Sequence, residues 1–151
     1  MKITETKWYP AERLVVTHIS GHVDEQDISK WQQSLEEVLN RIEDNSRFKI
    51  FVNLHGFKAV NFDAHKKFRV IIPSTLADYG FRAGYLGLFP EAEVHLKNTR
   101  GIQCVAAVHV HQDDTKINNY DTKFGNSTER FFTDPTIAEQ WIKSIDVYNL
   151  N

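Results

Sequence analysis

Residues 102–142, IQCVAAVHVHQDDTKINNYDTKFGNSTERFFTDPTIAEQWI, pass twice from the period of a strand to the period of a helix. Ile102 to His111 is an almost unbroken apolar run that closes on two histidines, the pattern of a strand. Residues 113–124 follow, with Ile117, Tyr120 and Phe124 at helical spacing and Gly125 where a helix should stop. Glu129-Arg130-Phe131-Phe132 is a brief second strand. Asp134 then caps a last helix with Pro135 at its first position, where a missing N–H is harmless. Ala138, Trp141, Ile142 and Ile145 form the inner stripe of that helix. A β-α-β-α run of this kind demands a right-handed crossover and parallel strands.

The same alternation extends towards the N-terminus. Phe48 to Leu54 predicts a central strand, and a loop from His55 to Val60 leads into a second helix. Asn61 or Asp63 caps that helix, and Ala64, Phe68, Ile71 and Ile72 make its buried stripe. Pro73 should end or kink it, since the ring clashes with the preceding turn and supplies no N–H. Residues 24–44 predict the longest helix, with Asp24 as cap and Ile28, Trp31, Leu35, Val38 and Ile42 on one face. Residues 3–8 and 13–20 read as a hairpin turned at Tyr9-Pro10-Ala11-Glu12 and ended by Gly21. Between the two halves, Phe81 to Phe89 reads as a strand and Glu91 to Thr99 as a short helix. The expected fold is α/β: a mostly parallel sheet of four to six strands, an antiparallel N-terminal edge hairpin and about four helices.

The 151 residues suit one domain spanning 1–151, without repeat, low-complexity tract or linker. A formal net charge of -2 makes no electrostatic case for nucleic acid or an anionic membrane. One cysteine, Cys104, excludes an internal disulfide and suits a reducing compartment. No apolar run has the length of a signal or a membrane span, so the expected address is the cytoplasm.

Three motifs carry a resemblance. They are FVNLHGFKAVNF at 51–62 running into DAHKKF at 63–68, VAAVHVHQDD at 105–114, and ERFFTDPTIAEQWI at 129–142. Together with the element order they resemble the STAS fold of bacterial anti-sigma-factor antagonists, and more narrowly its SpoIIAA-like group, which has been compared with lipid-binding Sec14 domains. The likeness covers about residues 13–145. It implies a non-enzymatic bacterial binding module whose C-terminal sheet edge faces a partner. In the signalling members a phosphorylatable Ser or Thr opens the helix after the central strand, just behind an Asp. Here Asp63 holds the Asp position, but Ala64 and His65 follow, and Ala64 has no hydroxyl to phosphorylate.

Open α/β sheets place ligands at the C-terminal ends of their strands. That edge gives the candidate binding residues Phe57, Lys58, Phe62, Asp63 and His65, which would contact a protein partner or an apolar small molecule such as a lipid. The competing expectation is a metal-dependent enzyme. His109 and His111 share one face of a strand, Asp113 follows, and His55 or His65 could complete a divalent-metal set. No cofactor is expected, because Gly80, Gly84 and Gly87 lack the spacing of a phosphate-binding loop. A Cys104/His109 dyad is weakened by the apolar strand around Cys104, where thiols are usually inert. A homodimer is left open.

Overall fold

The computed structural model describes residues 1–89 and 94–149. Strands β1 (Ile3–Tyr9), β2 (Leu14–Val23), β3 (Arg47–Asn53), β4 (Phe57–Ala59), β5 (Gln103–Val110) and β6 (Glu129–Phe132) form a six-stranded sheet. The order is β1-β2-β3-β5-β6, with β4 attached to the end of β2. β1 runs antiparallel to β2, and every other pairing is parallel. Five helical segments join the strands: α1 (Glu25–Leu39), α2 (Phe62–Arg69), α3 (Ile71–Asp78), α4 (Asp114–Phe124) and α5 (Pro135–Lys143). This is the expected α/β architecture with its edge hairpin.

One face of the sheet is covered by α1, α2 and α3. Ile28, Trp31 and Leu35 of α1, Phe68 of α2 and Leu76 of α3 meet Val15, Ile50 and Ala107 there. On the other face Ala138 and Ile142 of α5 cover Phe51, Ala106, Val108 and Val110. Lys49 is buried on β3, and its Nζ donates to the carbonyls of Ile145 at 2.6 Å and Lys143 at 3.4 Å. The ammonium thereby satisfies carbonyl groups at the end of α5.

Several details depart from the sequence reading. Gly21 does not end β2. It sits inside the strand at φ +92°, where a Cβ would lie 2.8 Å from the Met1 carbonyl oxygen, and β2 changes partner around it from β3 to β4. β4 itself lies in the stretch expected to be loop. α1 has the expected Asp24 cap, with Asp24 and Asp27 exchanging hydrogen bonds, but it stops at Leu39 rather than residue 44. The Arg100 guanidinium takes the carbonyls of Leu39, Asn40 and Ile42 and terminates the helix there. The helix with Pro73 kinks at Val70, because a proline at 73 disrupts the bond to the carbonyl four residues earlier.

The expected strand Phe81–Phe89 is not formed. The chain there is irregular apart from a 3-10 turn at Leu86–Leu88, and the Gly84 N–H is taken by the Glu129 side chain rather than a neighbouring strand. Of the expected helix 91–99, residues 91–93 lie outside the described residues, and 94–98 carry no regular structure.

Candidate functional site

At the C-terminal ends of β3, β5 and β6, a cleft opens under the α2–α3 pair and beside α4. Its volume is about 70 Å³. The strands contribute Val52, Leu54, His109, Val110 and Phe131, the helical side His65, Phe68, Arg69 and Ile72, and α4 Lys116, Ile117 and Tyr120. Tyr85 and Phe89, from the irregular segment, complete the wall.

The cleft wall is built around a buried polar pair. His109 Nε2 lies 2.8 Å from Glu129 Oε2, and both side chains are almost wholly buried. The second carboxylate oxygen, Oε1, accepts the Gly84 N–H at 2.8 Å. The parallel register makes this possible: His109 sits opposite Phe131, and Glu129 lies two pairs back, opposite Ala107, on the same face of the sheet. Aromatic rings fix the imidazole. Phe131 stacks on it at 4.7 Å and 17°, and Tyr85 meets its edge at 5.3 Å and 89°. Tyr85 in turn stacks on Tyr120 at 5.8 Å. Burial, reinforced by the Glu129 carboxylate, pushes the Tyr85 phenol well above its ordinary range, so it remains neutral.

The mouth is basic. His65 and Arg69 stand one turn apart on α2, and Lys116 faces them from α4. Burial, then the charges of Lys116 and Arg69, hold His65 below its ordinary value. Burial also lowers Lys116. His111 is pushed down to about 4, first by burial and then by Lys116. Its Nδ1 accepts the Asp113 N–H at 3.1 Å, so the neutral ring carries its proton on Nε2.

A pH dependence follows from His111. Between its ordinary value of about 6.5 and its folded value of about 4, the unfolded chain binds a proton that the folded chain refuses. Stability is therefore complete above about pH 6.5 and falls as pH drops towards 4. After discounting for the partial exposure of the ring, the loss is about 1–2 kcal/mol. Urea titrations at about pH 7 and pH 4.5 should show it, and His111→Gln should remove that part of the pH slope.

The structure separates the expected binding residues. His65 lines the cleft. Phe57 is buried core and stacks on Phe68 at 4.2 Å, so it supports the cleft from behind. Phe62 stays 65% exposed, with the Arg69 guanidinium 5.6 Å from its ring centre. Lys58 and Asp63 are exposed, and the cap of α2 is Asn61, whose Oδ1 accepts the Ala64 N–H at 2.9 Å. Asp63 occupies the first turn without closing it.

Of the proposed metal set, His109 and His111 do reach one cleft. Yet His109 Nε2 is engaged by Glu129, and Asp113 caps α4 through the Lys116 N–H. Among the described residues no group of three or more His, Cys, Asp or Glu is placed to hold a metal ion. Burial pushes the Cys104 thiol up, away from the reactive thiolate. Five residues of strand also separate it from His109, roughly 15 Å.

Glu129, Tyr85, Lys116, Tyr120 and Arg69 were not singled out from the sequence. The one signal available was spacing: Lys116 and Tyr120 sit four apart, which places them on one helix face. Glu129 and Tyr85 had no local signal at all.

No family model matches this chain, nor does any curated protein or solved structure. Among the described residues no helix is long and apolar enough to cross a membrane.

Proposed function

We propose that this chain is a non-enzymatic, cytoplasmic bacterial binding domain of STAS type, a single unit over 1–151, that takes a small apolar ligand into the cleft between α2–α3 and α4. The observation that carries this reading is the cleft itself. It lies where open α/β sheets bind ligands, aromatic and aliphatic side chains form most of its wall, and a few polar groups converge on it. His109, held by Glu129 at 2.8 Å, is one of those polar groups. A protein partner at the exposed Phe62 and Lys58 is the second reading. It rests on Phe62, a large ring left in solvent at the start of α2.

Native mass spectrometry of protein purified gently from its own host tests the choice. A small-molecule adduct that disappears in Leu54→Trp, which narrows the cleft, is the expected result. A protein partner lost in Phe62→Ala, with no small molecule bound, would transfer the function to the surface.

The same preparation tests regulation. Ala64 is fully buried in the first turn of α2 and cannot accept a phosphoryl group. Residues 61–68 contain no Ser, Thr or Tyr. Occupancy, rather than a phosphoserine charge, then controls the domain. Peptide mass mapping is expected to show no phosphate between 61 and 68, and a phosphopeptide there, on His65 or Asp63, would restore a switch.

A further inference from the structure

We propose that the ligand of the cleft is an apolar molecule carrying a hydroxyl group, which donates to His109 Nδ1 and accepts from the hydroxyls of Tyr85 and Tyr120. This rests on the reading of the cleft as a ligand site and specifies what the site recognises.

The direction of one hydrogen bond comes first. The Glu129 carboxylate accepts the Gly84 N–H through Oε1, and its other oxygen lies 2.8 Å from His109 Nε2. A carboxylate only accepts, so Nε2 supplies the proton, and the neutral ring carries its lone pair on Nδ1. Among the described residues Nδ1 has no partner of its own.

The two phenols share that condition. Tyr85 and Tyr120 are held through their rings, and neither hydroxyl makes a hydrogen bond among the described residues. Burial pushes both phenols up, so each keeps its proton. None of these atoms is sealed in the core. Among the described residues the closed-off polar side-chain atom without a partner is Arg13 Nη2. His109 Nδ1 and the two hydroxyls therefore open onto free space, and the space that their residues share is the cleft.

An occupant of the cleft must answer these groups. His109 is only 5% exposed, so a molecule that enters displaces the water that reaches Nδ1 and leaves it unpaired unless it donates in return. A ketone or an ether accepts from the tyrosines and leaves Nδ1 stranded. A hydroxyl is the smallest group that donates and accepts at once. Phe68, Ile72 and Ile117 offer the rest of the molecule an apolar wall.

Isothermal titration of the full chain at about pH 8, where an ordinary imidazole is neutral, is the test. The probes are p-cresol, its methyl ether, and p-xylene, in which a methyl group replaces the hydroxyl. p-Cresol is expected to bind about tenfold or more tightly than either of the others. The double variant Tyr85→Phe, Tyr120→Phe removes hydroxyls that bond nothing in the protein, so it should melt as the wild type does. It should lose most of the preference for p-cresol and bind p-xylene unchanged. Nitrogen NMR of the imidazole gives a reading independent of affinity: His109 should carry its proton on Nε2, and p-cresol but not p-xylene should shift Nδ1. Equal affinity for p-cresol and p-xylene, or a proton found on Nδ1, overturns the hydroxyl assignment and leaves the cleft as a ligand site. A methyl ether that binds as well as p-cresol overturns the contact to His109. If none of the probes binds, the proposal fails, and the adduct found by native mass spectrometry then decides separately whether the cleft binds anything.

Discussion

Trp31→Ala should cost the domain about 3–5 kcal/mol, the range for emptying a buried indole site. Trp31 is fully buried at the centre of the α1 face, between β2 and α2. Its ring lies 5.5 Å from Phe68, and its Nε1 donates to Thr17 Oγ1 at 2.7 Å. Thr17 is itself fully buried and shares a 2.9 Å hydrogen bond with Thr6 of β1, so the indole ties α1 to both strands of the hairpin. Alanine would leave a cavity, loosen Phe68 at the cleft wall and remove one partner of a buried hydroxyl. Trp31→Phe should recover most of the packing and lose mainly the hydrogen bond. Urea denaturation of the two variants separates the contributions, and equal losses would mean that the Thr17 contact dominates.

Glu129→Ala should cost about 3 kcal/mol, because it strands the buried His109 imidazole and removes the acceptor of the Gly84 N–H. The damage should spread along the segment that Gly84 anchors. Tyr85 packs against His109, Tyr120 and Phe131, so loss of the anchor opens the cleft wall as well as the core. Glu129→Gln can still accept from Gly84 and should retain more stability than the alanine variant. Hydrogen exchange at residues 83–86 gives the local readout. If the alanine variant unfolds at the same urea concentration as the wild type, the pair is not holding the cleft together.

The stretch 102–142 was legible because each of its elements carries a complete local signal. β6 falls on Glu129–Phe132 as expected, and α5 begins at Pro135 behind its Asp134 cap. Cap chemistry and periodicity act within a few residues, and a sequence displays both. Residues 80–89 were not legible, because their conformation depends on a carboxylate more than forty residues away and on aromatic neighbours from β5, β6 and α4. The length of α1 was misjudged for a similar reason, since Arg100 ends it from a distant loop. Phe57 and Phe62 looked alike in sequence. Register distinguishes them: pairing of Phe57 with Gly21 turns its ring onto Phe68, while Phe62 starts α2 on the outer side. The site follows the same rule. His65, His109 and His111 could be named in advance because they lie at strand ends or on a helix behind one. Glu129, Lys116 and Tyr85 join them only through the folding of the sheet and its crossovers.

The measurement that bears most directly on the cleft is an NMR titration of the labelled protein with a library of small neutral and anionic fragments. Saturable shifts centred on His65, Phe68, Lys116, Tyr120 and Phe131, weakened in Leu54→Trp, are the expected result. Saturable shifts confined to Lys58, Phe62 and Asp63, or none at the cleft for any fragment, would contradict the account.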